Sequence, residues 1–179
     1  MVTGSLKRVG LIAVTSALTG VGFLLTAPIP LIPGAIHWRI LAFLPCVIGI
    51  LFGPKIGFFA GSIGNTLWAI FGGYFNLATP IFDFIGVGLT GYIPGKFIKP
   101  QNPITSKFLL KSALISLISG VIMVPIVAVG FELVGVAPFW AAIYMLVLSD
   151  LPPIFVGTPI LIAVLTPLLE KRGLLKTRW

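Results

Sequence analysis

The chain has 179 residues, of which 58% are hydrophobic and only 9% charged, and its mean hydropathy is +1.14. An ordinary soluble domain carries about 25% charged residues, so this composition excludes a soluble globular protein and predicts an integral membrane protein. The 12 basic residues outnumber the 4 acidic ones but cluster at the ends of apolar segments, which indicates membrane topology and not nucleic-acid binding.

Proline and glycine divide the apolar sequence into six predicted spans of one membrane domain, residues 1–179. The first span ends before a loop with three prolines, which cannot continue a helix. The turn Gly53-Pro54-Lys55 separates a short second span from the third. The predicted spans are about residues 9–26, 38–52, 56–73, 80–95, 109–130 and 151–169.

The third predicted span carries a stripe of small residues at intervals of four: Gly53, Gly57, Gly61, Asn65, Ala69 and Gly73. On a helix this spacing forms one slowly drifting face. Such a smooth face lets another helix approach closely, because no side chain holds the backbones apart. Asn65 is the polar exception in the stripe and needs a structural or functional explanation.

The fourth predicted span begins at Thr79-Pro80, where threonine suits the N-cap and proline the first helical position. Residues 96–111 then form the longest hydrophilic connection.

The last apolar stretch, residues 139–169, is too long for one simple span. Ser149-Asp150 before Pro152-Pro153 resembles a second helix start. We therefore predict a short outer helix over 139–148 and a sixth span over 151–169. One long helix, kinked at the prolines, is the alternative.

Six spans place both termini on one side of the membrane. With the N-terminus in the cytoplasm, 11 of the 12 basic residues lie inside and only Arg39 faces out. This asymmetry follows the positive-inside rule. We predict an all-α bundle of six transmembrane helices with cytoplasmic termini. We also predict that it is a multi-pass protein of a prokaryotic-type cell membrane.

Polar groups gather in the outer half of this bundle, where they are expensive unless they face a cavity or one another. Asn65 and Trp68 share a flank of the third helix. Each candidate also has a structural explanation: Arg39 could reach lipid headgroups, Asn65 could join two helices, and aromatic residues often lie at the interface. The candidate substrate-binding residues are His37, Arg39, Asn65, Trp68, Asp83, Trp140, Tyr144 and Asp150.

Catalytic motifs are absent from the sequence. One histidine and one cysteine cannot form a usual metal cluster, and neither a phosphate-binding Gly-rich loop nor a Gly-x-Ser-x-Gly turn occurs. We therefore predict no cofactor, no metal and no enzymatic activity. An intramembrane enzyme using Asp83 and Asp150 is one alternative. A channel would need a polar stripe, and a stand-alone transporter would usually show inverted repeats with broken helices.

Several motifs together resemble the substrate-binding S component of energy-coupling factor (ECF) transporters. They are the pair Ala13 and Ala17, the loop Pro28-Ile-Pro-Leu-Ile-Pro33, and the Phe-Gly-Pro turn that opens the Gly-rich third helix. The resemblance covers most of the chain. It implies high-affinity capture of a vitamin or related micronutrient from outside, with a transmembrane coupling subunit and two cytoplasmic ATPases as partners.

The resemblance further implies that Ala13 and Ala17 contact the coupling subunit, although small residues at this spacing also pack within a protein. It places the substrate between the outer loop and the outer halves of spans three to six. Where the riboflavin-binding members carry a sequence like Lys-Leu-Asp after the loop, this chain has His37-Trp38-Arg39. The sixth span here also has no lysine before Lys171. A planar heterocycle suits the aromatic and amide groups, so riboflavin, cobalamin, queuosine-like bases and other vitamins stay open.

Overall fold

The computed structural model describes residues 2–26, 30–32 and 36–175, and most of these are helical. Two short strands, β1 (Pro30–Ile32) and β2 (Ile36–His37), pair antiparallel between the first two helices. The helices are α1 (Val2–Thr26), α2 (Leu44–Phe52), α3 (Pro54–Gly72), α4 (Phe84–Phe97), α5 (Ser106–Leu133) and α6 (Phe139–Lys171). The predicted all-α class is confirmed. Pro28 and Pro33 of the proline-rich loop lie outside the described residues.

Among the described residues, three helices are long and apolar enough to cross a membrane: Leu6–Thr26, Ser106–Leu133 and Phe139–Lys171. By contrast, α2 has nine residues, which gives a length of about 14 Å against about 30 Å of hydrocarbon. The predicted count of six spans and the orientation of the termini therefore stay predictions.

The second helix begins at Leu44, so its predicted start near Trp38 is wrong. Proline occupies one of its first two helical positions, where the missing N–H costs no hydrogen bond. The residues before it form a turn, in which the Ala42 N–H donates to the carbonyl of Arg39 at 2.8 Å. This turn directs the Arg39 segment toward the bundle instead of along a helix.

The last helix is continuous from Phe139 to Lys171, so the predicted division into 139–148 and 151–169 is wrong and the alternative of one long helix is observed. The helix includes four prolines: Pro152, Pro153, Pro159 and Pro167. Each proline removes one backbone donor, yet membrane helices tolerate proline where neighbouring helices and hydroxyl groups satisfy the freed carbonyls. Packing against α5 supports this helix. Asp150 consequently lies within a helix and not at its start.

A π-helical turn, Thr79–Asp83, precedes α4. Thr79 is not the N-cap that the sequence predicts, because Ala78 holds that position and no side chain caps it. Asn76 organises the turn instead: its side-chain oxygen accepts from the Ala78 N–H at 2.8 Å. The wider π turn ends at Asp83, which it places on a buried surface.

The small-residue stripe of α3 is used inside the bundle. A Cβ at Gly57 would collide with the backbone of Gly49 in α2 and of Gly91 in α4. The three helices therefore approach to backbone contact, as the sequence predicts for a smooth face. Asn65, farther along the stripe, is buried.

The helix ends form two groups with different chemistry. One cavity is bordered by the residues that follow α1, those that begin α4 and α6, and those that end α3 and α5. We call this end of the bundle the site end. The opposite end, where α4 finishes and α5 begins, carries Lys96, Lys99, Lys107 and Lys111, and we call it the basic end.

Candidate substrate-binding site

A cavity of about 240 Å³ opens at the site end. Its wall comes from the α1–α2 connection, late α3, the π turn, late α5 and early α6. These segments span residues 37–149 of the chain, so the fold brings together side chains that are far apart in the sequence. The lining residues are His37, Arg39, Trp68, Tyr74, Asn76, Asp83, Val127, Phe131, Val136, Met145, Leu146 and Ser149.

Arg39 is the central charged group of the cavity. Its Nη2 donates a hydrogen bond to the Asn65 side-chain oxygen, and its Nε lies 3.6 Å from Asp150 Oδ1. Its guanidinium carbon also lies 4.6 Å from the ring centroid of Phe23 and 5.0 Å from that of Trp68. Contacts from four helical residues thus fix the direction of this side chain.

Two carboxylates accompany the single guanidinium. Asp150 is 1% exposed and forms the ion pair with Arg39 but does not line the cavity. Asp83 is 5% exposed and lines the cavity itself. Among the residues that the structure describes, Asp83 Oδ1 has no hydrogen-bond partner. Because a buried acceptor is costly when it is unpaired, this oxygen is suited to a ligand's N–H or O–H group.

An aromatic wall faces these charges. The rings of Trp68 and Tyr74 stack with centroids 4.9 Å apart and planes 20° apart. The ring centroid of His37 lies 4.8 Å from that of Tyr74. Trp68 Nε1 and His37 Nδ1 are buried and find no hydrogen-bond partner in the described part of the chain. The wall therefore combines a flat apolar face with polar atoms available to a ligand.

The opposite wall is mainly apolar and comes from α5 and α6. Val127 and Phe131 project from α5, and Met145 and Leu146 project from α6. A largely apolar cavity with a few convergent polar groups is typical of small-molecule sites.

The structure brings six of the eight predicted site residues together. His37, Arg39, Trp68 and Asp83 line the cavity. Asn65 and Asp150 do not line it but hold Arg39.

Trp140 and Tyr144 lie elsewhere, since they are 78% and 63% exposed on the outer surface of α6. Their neighbours Met145, Leu146 and Ser149 face the cavity instead. A helix that is apolar on most sides gives no sequence signal for which side faces inward. The sequence therefore favours the two aromatic residues and does not indicate the actual lining of α6.

Tyr74 and Asn76 also line the cavity without having been predicted as site residues. Both follow Gly73, whose left-handed conformation (φ 76°) ends α3. A glycine that stops a helix just before an aromatic and an amide residue is the sequence signal that could have identified them.

A comparison with models of known protein families identifies the family of this chain. The family model described as ECF-type riboflavin transporter, S component, matches residues 3–171. The chain belongs to this family. S components are membrane proteins and substrate-binding subunits of vitamin transporters, and theirs is a transporter family and not an enzyme family. Searches of curated proteins and of solved structures gave no significant match.

The first helix of this S component has two distinct sides. Ser16 and Thr19 are buried, and the Ser16 hydroxyl donates to the Phe59 carbonyl at 3.2 Å. Ala13 and Ala17 lie on the exposed side of α1. The structure therefore leaves the predicted partner-interface alanines accessible, while other small residues pack α1 against α3.

A second cavity, of about 290 Å³, lies at the basic end of the S component. It is a surface groove lined mainly by residues with polar side chains, among which the Asn102 amide donates to the Glu170 carboxylate. None of its described lining residues is aromatic. The cavity at the site end is therefore the better candidate for a vitamin site.

Proposed function

We propose that this S component captures a water-soluble vitamin with a planar heterocycle from outside the cell, and that riboflavin is the first substrate to test. The observation that carries this proposal is the cavity at the site end. It unites the stacked pair Trp68 and Tyr74 with an unpartnered acceptor on Asp83. The family description, which names riboflavin, supports the choice of substrate.

The cavity suits a flat ring with a mixed hydrogen-bonding edge. The ring packs against Trp68, and an N–H on its edge donates to Asp83 Oδ1. A carbonyl on the same edge accepts from Arg39. The isoalloxazine ring of riboflavin has such an edge, since its imide N–H lies between two carbonyls.

The polar residues of this site differ from the Lys-Leu-Asp pattern of the riboflavin-binding members. Arg39 supplies the positive charge here, and α6 contains no lysine before Lys171. Cobalamin and queuosine-like bases therefore belong in the same binding experiment as riboflavin.

Transport requires partners in addition to this chain. We propose that a transmembrane coupling subunit contacts the exposed Ala13 and Ala17 side of α1, and that two cytoplasmic ATPases drive uptake. We further propose six spans with cytoplasmic termini. In this arrangement the site end faces outward and the basic end faces the cytoplasm, as the positive-inside rule favours.

Equilibrium binding to the purified chain in detergent tests the substrate proposal without any partner. Riboflavin fluorescence should fall on binding, because stacking on Trp68 quenches the flavin. Mass spectrometry of the purified protein should identify a co-purified small molecule independently. Saturable riboflavin binding supports the proposal. Binding of cobalamin or a queuosine-like base but not riboflavin would replace the substrate, and binding of none of the panel would contradict the proposed capture function.

A further inference from the structure

A basic cleft lies at the opposite end of the bundle from the substrate cavity. The last turn of α4, the α4–α5 connection and the first turns of α5 enclose about 420 Å³. Its wall contains Lys96, Lys99, Lys107 and Lys111, together with Gln101 and Thr105. We call this cleft, with its four lysines, the lysine cleft.

The charge of the lysine cleft is not neutralised by the residues that the structure describes. None of its four lysines forms an ion pair with any residue that the structure describes. Lys107 and Lys111 are four residues apart on one face of α5, a spacing at which like charges repel. The first turn of α5 contains no acidic residue, so the positive end of the helix dipole adds to the same field. The cleft therefore attracts an anion from outside the chain.

The position of the cleft determines which anions reach it. Its α5 residues lie in the first two turns of a helix that is long and apolar enough to cross a membrane. These turns lie where such a span enters the headgroup layer. Phe97, which lines the cleft, and Leu110, which adjoins Lys111 in α5, are 59% and 57% exposed. An anion bound here is therefore next to apolar surface of the kind that acyl chains cover.

One lysine is already held in place by aromatic rings. Lys96 Nζ lies 5.9 Å from the ring centroids of Tyr92 and Phe97. This contact keeps its ammonium group at the level of the rings, where it can meet a phosphate at the lipid boundary.

We propose that the lysine cleft binds the phosphate of an anionic phospholipid such as phosphatidylglycerol or cardiolipin. The headgroup lies among the four lysines, and an acyl chain covers Phe97 and Leu110. Basic pockets between helices at a membrane surface bind lipid headgroups in this way. The site does not depend on which vitamin occupies the other end of the bundle.

Native mass spectrometry of the purified chain, titrated with phosphatidylglycerol or with phosphatidylcholine, tests this site. The wild type should retain phosphatidylglycerol preferentially. Because each lysine near an anionic lipid contributes about 1 kcal/mol, the Lys107→Gln/Lys111→Gln variant should bind phosphatidylglycerol roughly thirtyfold more weakly. A Lys55→Gln/Lys171→Gln variant is the matched control, since it removes the same charge from the basic end but outside the cleft. Thermal unfolding verifies that both variants fold.

Four results would overturn the proposal. The first is the absence of any preference for phosphatidylglycerol in the wild type. The second is an equal loss in the control variant, which would indicate general surface charge. The third is displacement of the lipid by inorganic phosphate at comparable affinity, which would indicate a soluble phosphate ligand. If the cleft variant binds lipid normally but fails to co-purify with the ATPases, the cleft is a protein-docking surface instead.

Discussion

Asp150 of α6 lies 3.6 Å from the Arg39 side chain of the α1–α2 connection, and the two form an ion pair that is almost closed to solvent. Their side chains are 1% and 11% exposed, respectively. The pair joins the connection that borders the substrate cavity to the longest helix of the bundle. Because Arg39 lines the cavity and Asp150 does not, we propose that Asp150 positions the arginine for a ligand.

Replacing Asp150 by Asn should destabilise the protein, because it removes the carboxylate that pairs with Arg39 and leaves Asp83 as the remaining carboxylate of the cavity. Losing one partner of a buried ion pair typically costs about 3–5 kcal/mol, and the slight exposure of Arg39 places the expected loss near the lower value. Thermal unfolding in detergent measures the effect. The double variant Arg39→Gln/Asp150→Asn should recover part of the loss. Strictly additive effects of the two single substitutions would contradict this pairing.

Asn65→Ala removes the acceptor that holds Arg39 Nη2. Since one hydrogen bond contributes about 0.5–1.5 kcal/mol, substrate affinity should fall about twofold to tenfold through the released arginine. Equilibrium binding to the purified chain measures this change. Thr66→Ala is the matched control on α3, because the Thr66 hydroxyl bonds to the Ser62 carbonyl of its own helix and should leave affinity unchanged. Equal effects of the two substitutions would assign Asn65 a purely structural role.

Much of the fold is evident from the sequence, because hydrophobicity and the proline and glycine positions mark where apolar helices lie. The smooth stripe of α3 was also correctly predicted as a close-packing face, since small residues have that effect wherever they recur at helical spacing. The continuity of α6 was not predictable. Whether Pro152-Pro153 breaks a helix depends on its tertiary neighbours and not on the local sequence.

The candidate site shows a similar division. Because polar groups are costly to bury in a membrane, the sequence predicts that four residues need partners: Arg39, Asn65, Asp83 and Asp150. Their actual pairing was not predictable, because Arg39 and Asn65 are 26 positions apart and meet only through the fold. Trp140 shows the opposite case, since its side chain is exposed. An aromatic residue of a membrane protein can lie at the membrane–water interface instead of in a cavity.

Asp83→Asn tests the acceptor that faces the cavity. The amide keeps the shape and an oxygen but loses the charge, and a hydrogen bond to a charged group is about 1 kcal/mol stronger than a neutral one. Affinity for a neutral ligand should therefore fall about fivefold, and affinity for a cationic ligand should fall further. Glu132→Gln is the control, because Glu132 is an exposed carboxylate whose oxygen accepts from the Phe139 N–H at 3.4 Å. An Asp83→Asn variant with wild-type affinity would move the ligand's polar edge elsewhere.

Gly91→Ala should disrupt the contact of α3 with α4. The added Cβ would overlap the Gly57 carbonyl, which belongs to the backbone and cannot move aside as a flexible side chain can. Overpacking of this kind costs about 1–3 kcal/mol or more, so the unfolding temperature should fall. Gly10→Ala on α1 is the control, because nothing lies within 4 Å of its added Cβ. That substitution should be neutral or stabilising by up to about 1 kcal/mol, since alanine favours helix. A Gly91→Ala protein as stable as wild type would contradict the close approach.

The final prediction separates substrate capture from coupling. Ala13→Trp and Ala17→Trp add bulk to the exposed side of α1, where a partner helix would need a smooth surface. We expect the purified variants to bind substrate as the wild type does, because Ser16 and Thr19 still pack the opposite side of α1. Uptake by cells, and co-purification with the coupling subunit, should be lost.

Val14→Trp and Leu18→Trp are the matched controls, since both positions are exposed and already carry bulky side chains at 66% and 56% exposure. They should leave uptake close to wild type. Loss of substrate binding in the Ala13 and Ala17 variants would show that these alanines pack within the protein. Normal uptake in those variants would remove this side of α1 from the coupling interface, while the substrate proposal would stand or fall by the binding measurements alone.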